Sequence, residues 1–213
     1  MTDLLNAILV VVLVLNLLVL GTSRILAVIR SVALQGALLG LIPLLVHEQL
    51  SARVLLVSAA AIALKGVAIP AIMTRALRDA QIKREVEPLI GLLPSMILGA
   101  LATAFAMLLA AQLPLVERHA EGLLVPTSVA TVLVGFILLT TRWKALSQVV
   151  GYLVLENGIF IMGLTLQEAM PFLVEVGVLL DLLVAIFVIG IVMNHINREF
   201  ASLDVARLDA LKE

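Results

Sequence analysis

The chain has 213 residues, 62% of them hydrophobic and only 14% charged, with a mean hydropathy of +1.20. Soluble domains run at about 45–50% apolar and about 25% charged, so a water-soluble globule is excluded and lipid is the implied solvent. A net charge of -1 leaves no basic excess for nucleic acid, and the absence of cysteine removes disulfides, thiolate chemistry and iron–sulfur ligation together.

A helix needs about 20 apolar residues to cross the hydrocarbon core. The first run that qualifies, roughly 4–22, follows Asp3 and no basic residue. A signal peptide begins with positive charge, so this run reads as a retained span. The second, 31–47, is short and interrupted by Pro43. The third, 53–73, carries Lys65, Gly66 and Pro70. After 89–111 and 123–141 come the sixth, 146–166, with Glu156 inside GYLVLENG, and the seventh, 171–194, with Glu175 and Asp181. Backbone groups in lipid must be paired within their own segment, so all of these runs are expected to be helices. The expected fold is all-α: a polytopic transmembrane bundle of about seven helices in one domain, with a tail over 195–213.

Basic residues orient the bundle. Loops one, three and five and the tail hold Arg24, Arg30, Arg75, Arg78, Lys83, Arg84, Arg142, Lys144, Arg198, Arg207 and Lys212, whereas the opposite side holds only Arg53 and Arg118. Eleven against two places the N-terminus outside and the C-terminus in the cytoplasm. The segment Thr74 to Pro88, TRALRDAQIKREVEP, reads as a solvated cytoplasmic loop, or more sharply as a docking surface for a peripheral subunit.

Four ionisable residues fall inside the expected spans: Lys65, Glu156, Glu175 and Asp181. A charge at the bilayer centre costs on the order of 2.5–3.5 kcal/mol. Such groups face the bundle interior, pair with one another or line a water path. A purely structural pair would recover little of that cost, because intramembrane hydrogen bonds average about 0.6 kcal/mol; the functional reading is favoured. Lys65 is followed by Gly66 and Pro70, and proline has no N–H for the Gly66 carbonyl, so a break in the helix is expected beside the ammonium. A lysine there can act as a proton carrier or as a fixed counter-charge, and both remain open. Next to Glu156, Asn157 can hydrogen-bond across a helix interface and Gly158 permits close approach. Glu175 and Asp181 are six residues apart, about 9 Å along the axis and about 120° around it, so they do not touch directly. Acids and a base at similar depth are what lateral proton transfer requires.

His47 and His119 lie near outer span ends and His195 near an inner one. A haem needs ligands at matched depth, so none is expected here. Nothing resembles a phosphate-cradling glycine loop or a nucleophilic triad.

The runs GYLVLENGIFIMGL and FLVEVGVLLDLLVAIFVIGIVM resemble component E of hydrogenase 4, a family related to the small K subunit of respiratory complex I. So do AAAIALKGVAIPAIM and the tail REFASLDVARLDALKE, which extends the resemblance from about residue 55 to the C-terminus. The resemblance implies a membrane-arm subunit of a formate hydrogenlyase-like or group 4 [NiFe]-hydrogenase assembly in a prokaryotic inner membrane. Protons would cross the membrane arm, while the nickel–iron centre and iron–sulfur clusters reside in peripheral cytoplasmic partner subunits and no cofactor in this chain. Other expected partners are antiporter-like membrane subunits and the lipid bilayer. K-type subunits carry two intramembrane glutamates; Glu156 resembles the first, and either Glu175 or Asp181 the second. Lys65 resembles the lysine of component E. The alternatives are a scaffold that anchors a peripheral arm, with the charged residues as packing pairs, and a cation/proton antiporter or a subunit of one. No clear inverted repeat supports the latter.

Overall fold

The computed structural model describes residues 2–46, 51–79, 89–113, 122–166 and 190. Within them the chain is almost entirely helical. Helix α1 spans Thr2–Gly21, α2 Ile25–Val46 and α3 Ala52–Ala61. A π-helical segment, Ile62–Ala68, leads directly into α4, Ile69–Asp79. Helices α5 (Leu92–Gln112), α6 (Leu124–Thr141) and α7 (Ala145–Leu166) complete the described bundle.

Six stretches among the described residues are long and apolar enough to cross a membrane: Asp3–Gly21, Ile25–Val46, Val54–Arg75, Leu92–Gln112, Leu124–Thr141 and Leu146–Thr165. The expected seventh span with Glu175 and Asp181, the tail, the segment 80–88 and the three histidines lie outside the described residues.

The second span differs from expectation. It is a full helix of 22 residues, roughly 33 Å at 1.5 Å per residue. The turn ends earlier than the charge pattern implied: the Ala27 and Val28 N–H groups already donate to the Arg24 carbonyl. Arg30 therefore lies on α2 and not in a loop, with its side chain exposed. A long cationic side chain reaches the polar interface from inside a helix end, so one arginine does not close a span. Pro43 is accommodated within α2 without ending it.

Side-chain hydrogen bonds and one loop contact fix the two ends of the bundle. At one end Arg142 Nη2 donates to the Leu20 carbonyl at 2.8 Å, and the Leu89 N–H donates to the Thr141 carbonyl. At the other end the Leu123 N–H donates to Asn6 Oδ1. Arg142 is a correction to the sequence reading, which treated it as loop charge: it is buried, about 1% exposed. The guanidinium caps a carbonyl at the end of α1, a use of arginine that hydropathy does not reveal. Burial pushes this guanidinium below its ordinary value.

Helices α6 and α7 form the most extensive described interface. A Cβ at Gly158 would stand 2.6 Å from the Val132 nitrogen, and one at Gly135 2.5 Å from the Leu155 backbone. Only the missing side chains let these backbones approach so closely. Helix α5 is the outlier. Leu93, Leu101 and Leu108 are each more than 60% exposed, which places this helix on the bundle periphery.

Two apolar clusters fill the interior. One joins Val19 and Leu20 of α1, Ile29 and Val32 of α2, Met73 of α4, and Leu138 and Leu153 of α6 and α7. The other joins Leu9 and Val12 to Leu39, Ile42, Leu124 and Ile161. These sets come from opposite ends of the same helices, so the space between them is the middle of the bundle.

Candidate functional site

A polar layer lies between the two apolar clusters. Lys65 enters it from the π-helical segment. Because Pro70 has no N–H, the preceding turn cannot close in the α pattern. The Ile69 N–H instead donates to the Leu64 carbonyl, five residues back, the bond that defines a π turn. The expected break beside Lys65 is thus a widened helical turn.

Lys65 Nζ stands 3.0 Å from Glu156 Oε1 of α7, and the two side chains are only 6% and 4% exposed. The same ammonium lies 4.7 Å from the centroid of the Phe160 ring, close enough for a cation–π contact. The two charges therefore compensate each other away from bulk solvent.

Asn157, the residue after Glu156, points to another neighbour. Its Nδ2 donates to Gln35 Oε1 at 3.2 Å, and Gln35 Nε2 donates to Asn16 Oδ1 at 2.8 Å. Asn16 Nδ2 donates to Thr131 Oγ1 at 2.9 Å, and that hydroxyl donates to the Thr127 carbonyl at 2.7 Å. Four helices are laced together by this chain, and Asn16, Gln35, Thr127, Thr131 and Asn157 are all buried. Helix α2 meets Lys65 as well: a Cβ at Gly36 would stand 2.6 Å from Lys65 Cβ. Gly66 packs against Ala37 of α2.

Two small clefts touch the ion pair from opposite directions. One is lined by Ile29, Val32, Pro70, Met73, Val150 and Leu153, toward the end that holds Arg142. The other is lined by Val57, Ala60, Ala61, Leu64 and Phe160, toward the opposite end. Lys65, Ile69 and Glu156 border both, and each has room for a water molecule or so.

Of the four ionisable residues singled out in the sequence, the structure brings Lys65 and Glu156 together, with Pro70, Gly66, Asn157 and Gly158 around them. Glu175 and Asp181 lie outside the described residues. Sequence reasoning assigned no role to Asn16, Gln35, Thr131 or Phe160. Asn16 had a signal: it is the sole polar residue in the run ILVVVLVLNLLVLG. A buried amide in an apolar helix needs a partner for the same reason as a charge.

No family model and no solved structure match the chain. It is 34% identical over 189 residues to the uncharacterized protein Rv0085 of Mycobacterium tuberculosis, covering 88% of this chain and 86% of that one. It is 33% identical over 164 residues to hydrogenase-4 component E of Escherichia coli K12, covering 75% of this chain and 74% of the relative. The same figures hold for hydrogenase-4 component E of Shigella flexneri.

Proposed function

The chain belongs to the hydrogenase-4 component E family, and we propose that it is a membrane-arm subunit of a hydrogenase-4 or formate hydrogenlyase-like assembly related to complex I. In this reading it contributes Lys65 and Glu156 to proton translocation and leaves redox chemistry to partner subunits, which hold the nickel–iron centre and iron–sulfur clusters. Its neighbours are antiporter-like membrane subunits and peripheral cytoplasmic subunits in a prokaryotic inner membrane. The N-terminus faces outward and the C-terminus the cytoplasm.

The observation that carries the reading is the 3.0 Å contact of Lys65 and Glu156 in the polar layer. An ammonium facing a carboxylate has the same net charge as an amine facing a carboxylic acid. Moving the proton between the two atoms therefore strands no charge in lipid, which is the condition a relay at this depth must meet. The clefts on either side support the second requirement, because each borders the pair and has room for a water molecule or so. Glu175 and Asp181 are the candidates for the next acid along the route.

The test is Glu156→Gln in the assembled complex, with subunit composition and proton-coupled turnover measured together. Loss of coupling with assembly intact supports conduction. Unchanged assembly and unchanged coupling would make the pair a packing device and the chain a scaffold for the peripheral arm. Co-purification with hydrogenase-type subunits separates both from a cation/proton antiporter.

A further inference from the structure

The residue that holds Lys65 and Glu156 in register is not part of the pair. Gln35 and Gly36 are consecutive on α2, and each grips one side of it. Gly36 lies so close to Lys65 that a Cβ would stand 2.6 Å from the lysine Cβ. Gln35 accepts a hydrogen bond from Asn157, the immediate neighbour of Glu156. The π-helical segment and α7 are thus both referenced to one dipeptide. The spacing of the ammonium and the carboxylate is therefore set in part by α2.

The hydrogen-bond chain through Gln35 also has a fixed direction. The Thr127 carbonyl can only accept, so the Thr131 hydroxyl that meets it is the donor. Thr131 Oγ1 then receives the Asn16 amide N–H, which turns Asn16 Oδ1 toward Gln35 Nε2. That in turn leaves Gln35 Oε1 to accept from Asn157. Each amide is committed at both ends, and none carries a proton that it exchanges near neutral pH. A proton arriving at Glu156 has no acceptor along this line.

We propose that Gln35 is the positioning residue of the Lys65–Glu156 pair, and that the Asn157–Gln35–Asn16–Thr131 chain insulates the pair on its α1–α6 side. Proton exchange is then confined to the two clefts. The proposal rests on the reading of Glu156 as a proton-exchanging group.

The test uses the complete complex carrying Gln35→Met, near-isosteric but without hydrogen bonds, or Gln35→Glu. The glutamate keeps an acceptor for Asn157; ionised it loses the donor to Asn16, and protonated it donates there and adds an exchangeable proton to the chain. Proton-coupled turnover is measured against pH and normalised to assembled complex. With Gln35→Met, turnover per complex falls roughly tenfold or more, as expected when reacting groups are misplaced by an ångström, and its pH profile shifts. With Gln35→Glu, turnover is largely kept and the pH profile gains a limb. Wild-type turnover and pH profile in Gln35→Met would overturn the proposal. So would a loss that merely tracks the amount of assembled complex, or, where the methionine variant fails to assemble, a Gln35→Glu complex with an unaltered pH profile. If Glu156→Gln abolishes coupling and Gln35→Met does not, only this inference fails. If Glu156→Gln is silent, the reading of the pair fails and takes this inference with it.

Discussion

Lys65 Nζ and Glu156 Oε1 approach to 3.0 Å from two separate spans, with both side chains almost completely removed from solvent. Taking one partner from a buried pair typically costs about 3–5 kcal/mol, whereas removing both is often neutral or better. Lys65→Met and Glu156→Gln are therefore each expected to lower the thermal stability of the detergent-solubilised protein. The double variant should recover most of that loss. Proton coupling should be lost in all three. Thermal unfolding beside turnover checks this, and a double variant no more stable than the worse single one would contradict it.

Pro70 decides which way Lys65 faces. Pro70→Ala restores an N–H for the Gly66 carbonyl and removes the reason for the π turn over Ile62–Ala68. Regularising that turn rotates the side chains before it by about 100° per residue of changed register. The expected outcome is an assembled protein with turnover reduced toward that of Lys65→Met. Crosslinking between cysteines at positions 65 and 156 should fall in parallel with it.

The α6–α7 seam depends on absent side chains. Gly158→Ala puts a methyl 2.6 Å from the Val132 nitrogen and 2.9 Å from the Ser128 carbonyl oxygen, and overpacking of this kind costs about 1–3 kcal/mol. Among the described residues a Cβ at Gly163 meets nothing within 4 Å, so Gly163→Ala should be tolerated. The difference in melting temperature between these two alanine variants is the measurement.

Arg142 holds the end of α1. Arg142→Ala removes the donor to the Leu20 carbonyl, and a lost buried hydrogen bond costs on the order of 1–3 kcal/mol. Faster hydrogen exchange is expected at the turn from Gly21 to Ile25, with little change at Gln35. Equal acceleration at both places would argue for global destabilisation instead.

The exposure of α5 can be read directly, since the chain has no native cysteine to interfere. Spin labels at Leu101→Cys and Leu108→Cys should show high accessibility to oxygen in a bilayer, and one at Leu153→Cys should not. Loss of that accessibility on assembly would identify α5 as a face that meets a partner subunit.

The sequence by itself determined the class of protein, the apolar runs that the structure forms as six long helices among the described residues, and the oddity of Lys65, Glu156 and Asn157. Those signals are local. A charge or an amide within an apolar run is visible without knowing its neighbours, because its cost of transfer to lipid does not depend on them. Which faces meet was left to the tertiary structure. These helices are apolar all round, so no 3.6-residue pattern marks an inward side. Lys65 meets Glu156 because a proline-induced π turn and the close approach of Gly36 present it there. Asn16, Gln35, Thr131 and Asn157 form one chain only because four helices cross at the same depth. Arg142 is buried because the α1 carbonyl it caps happens to end beside it. Such pairings depend on shape at helix crossings, where small residues set the distances, and a single linear hydropathy signal carries none of that information.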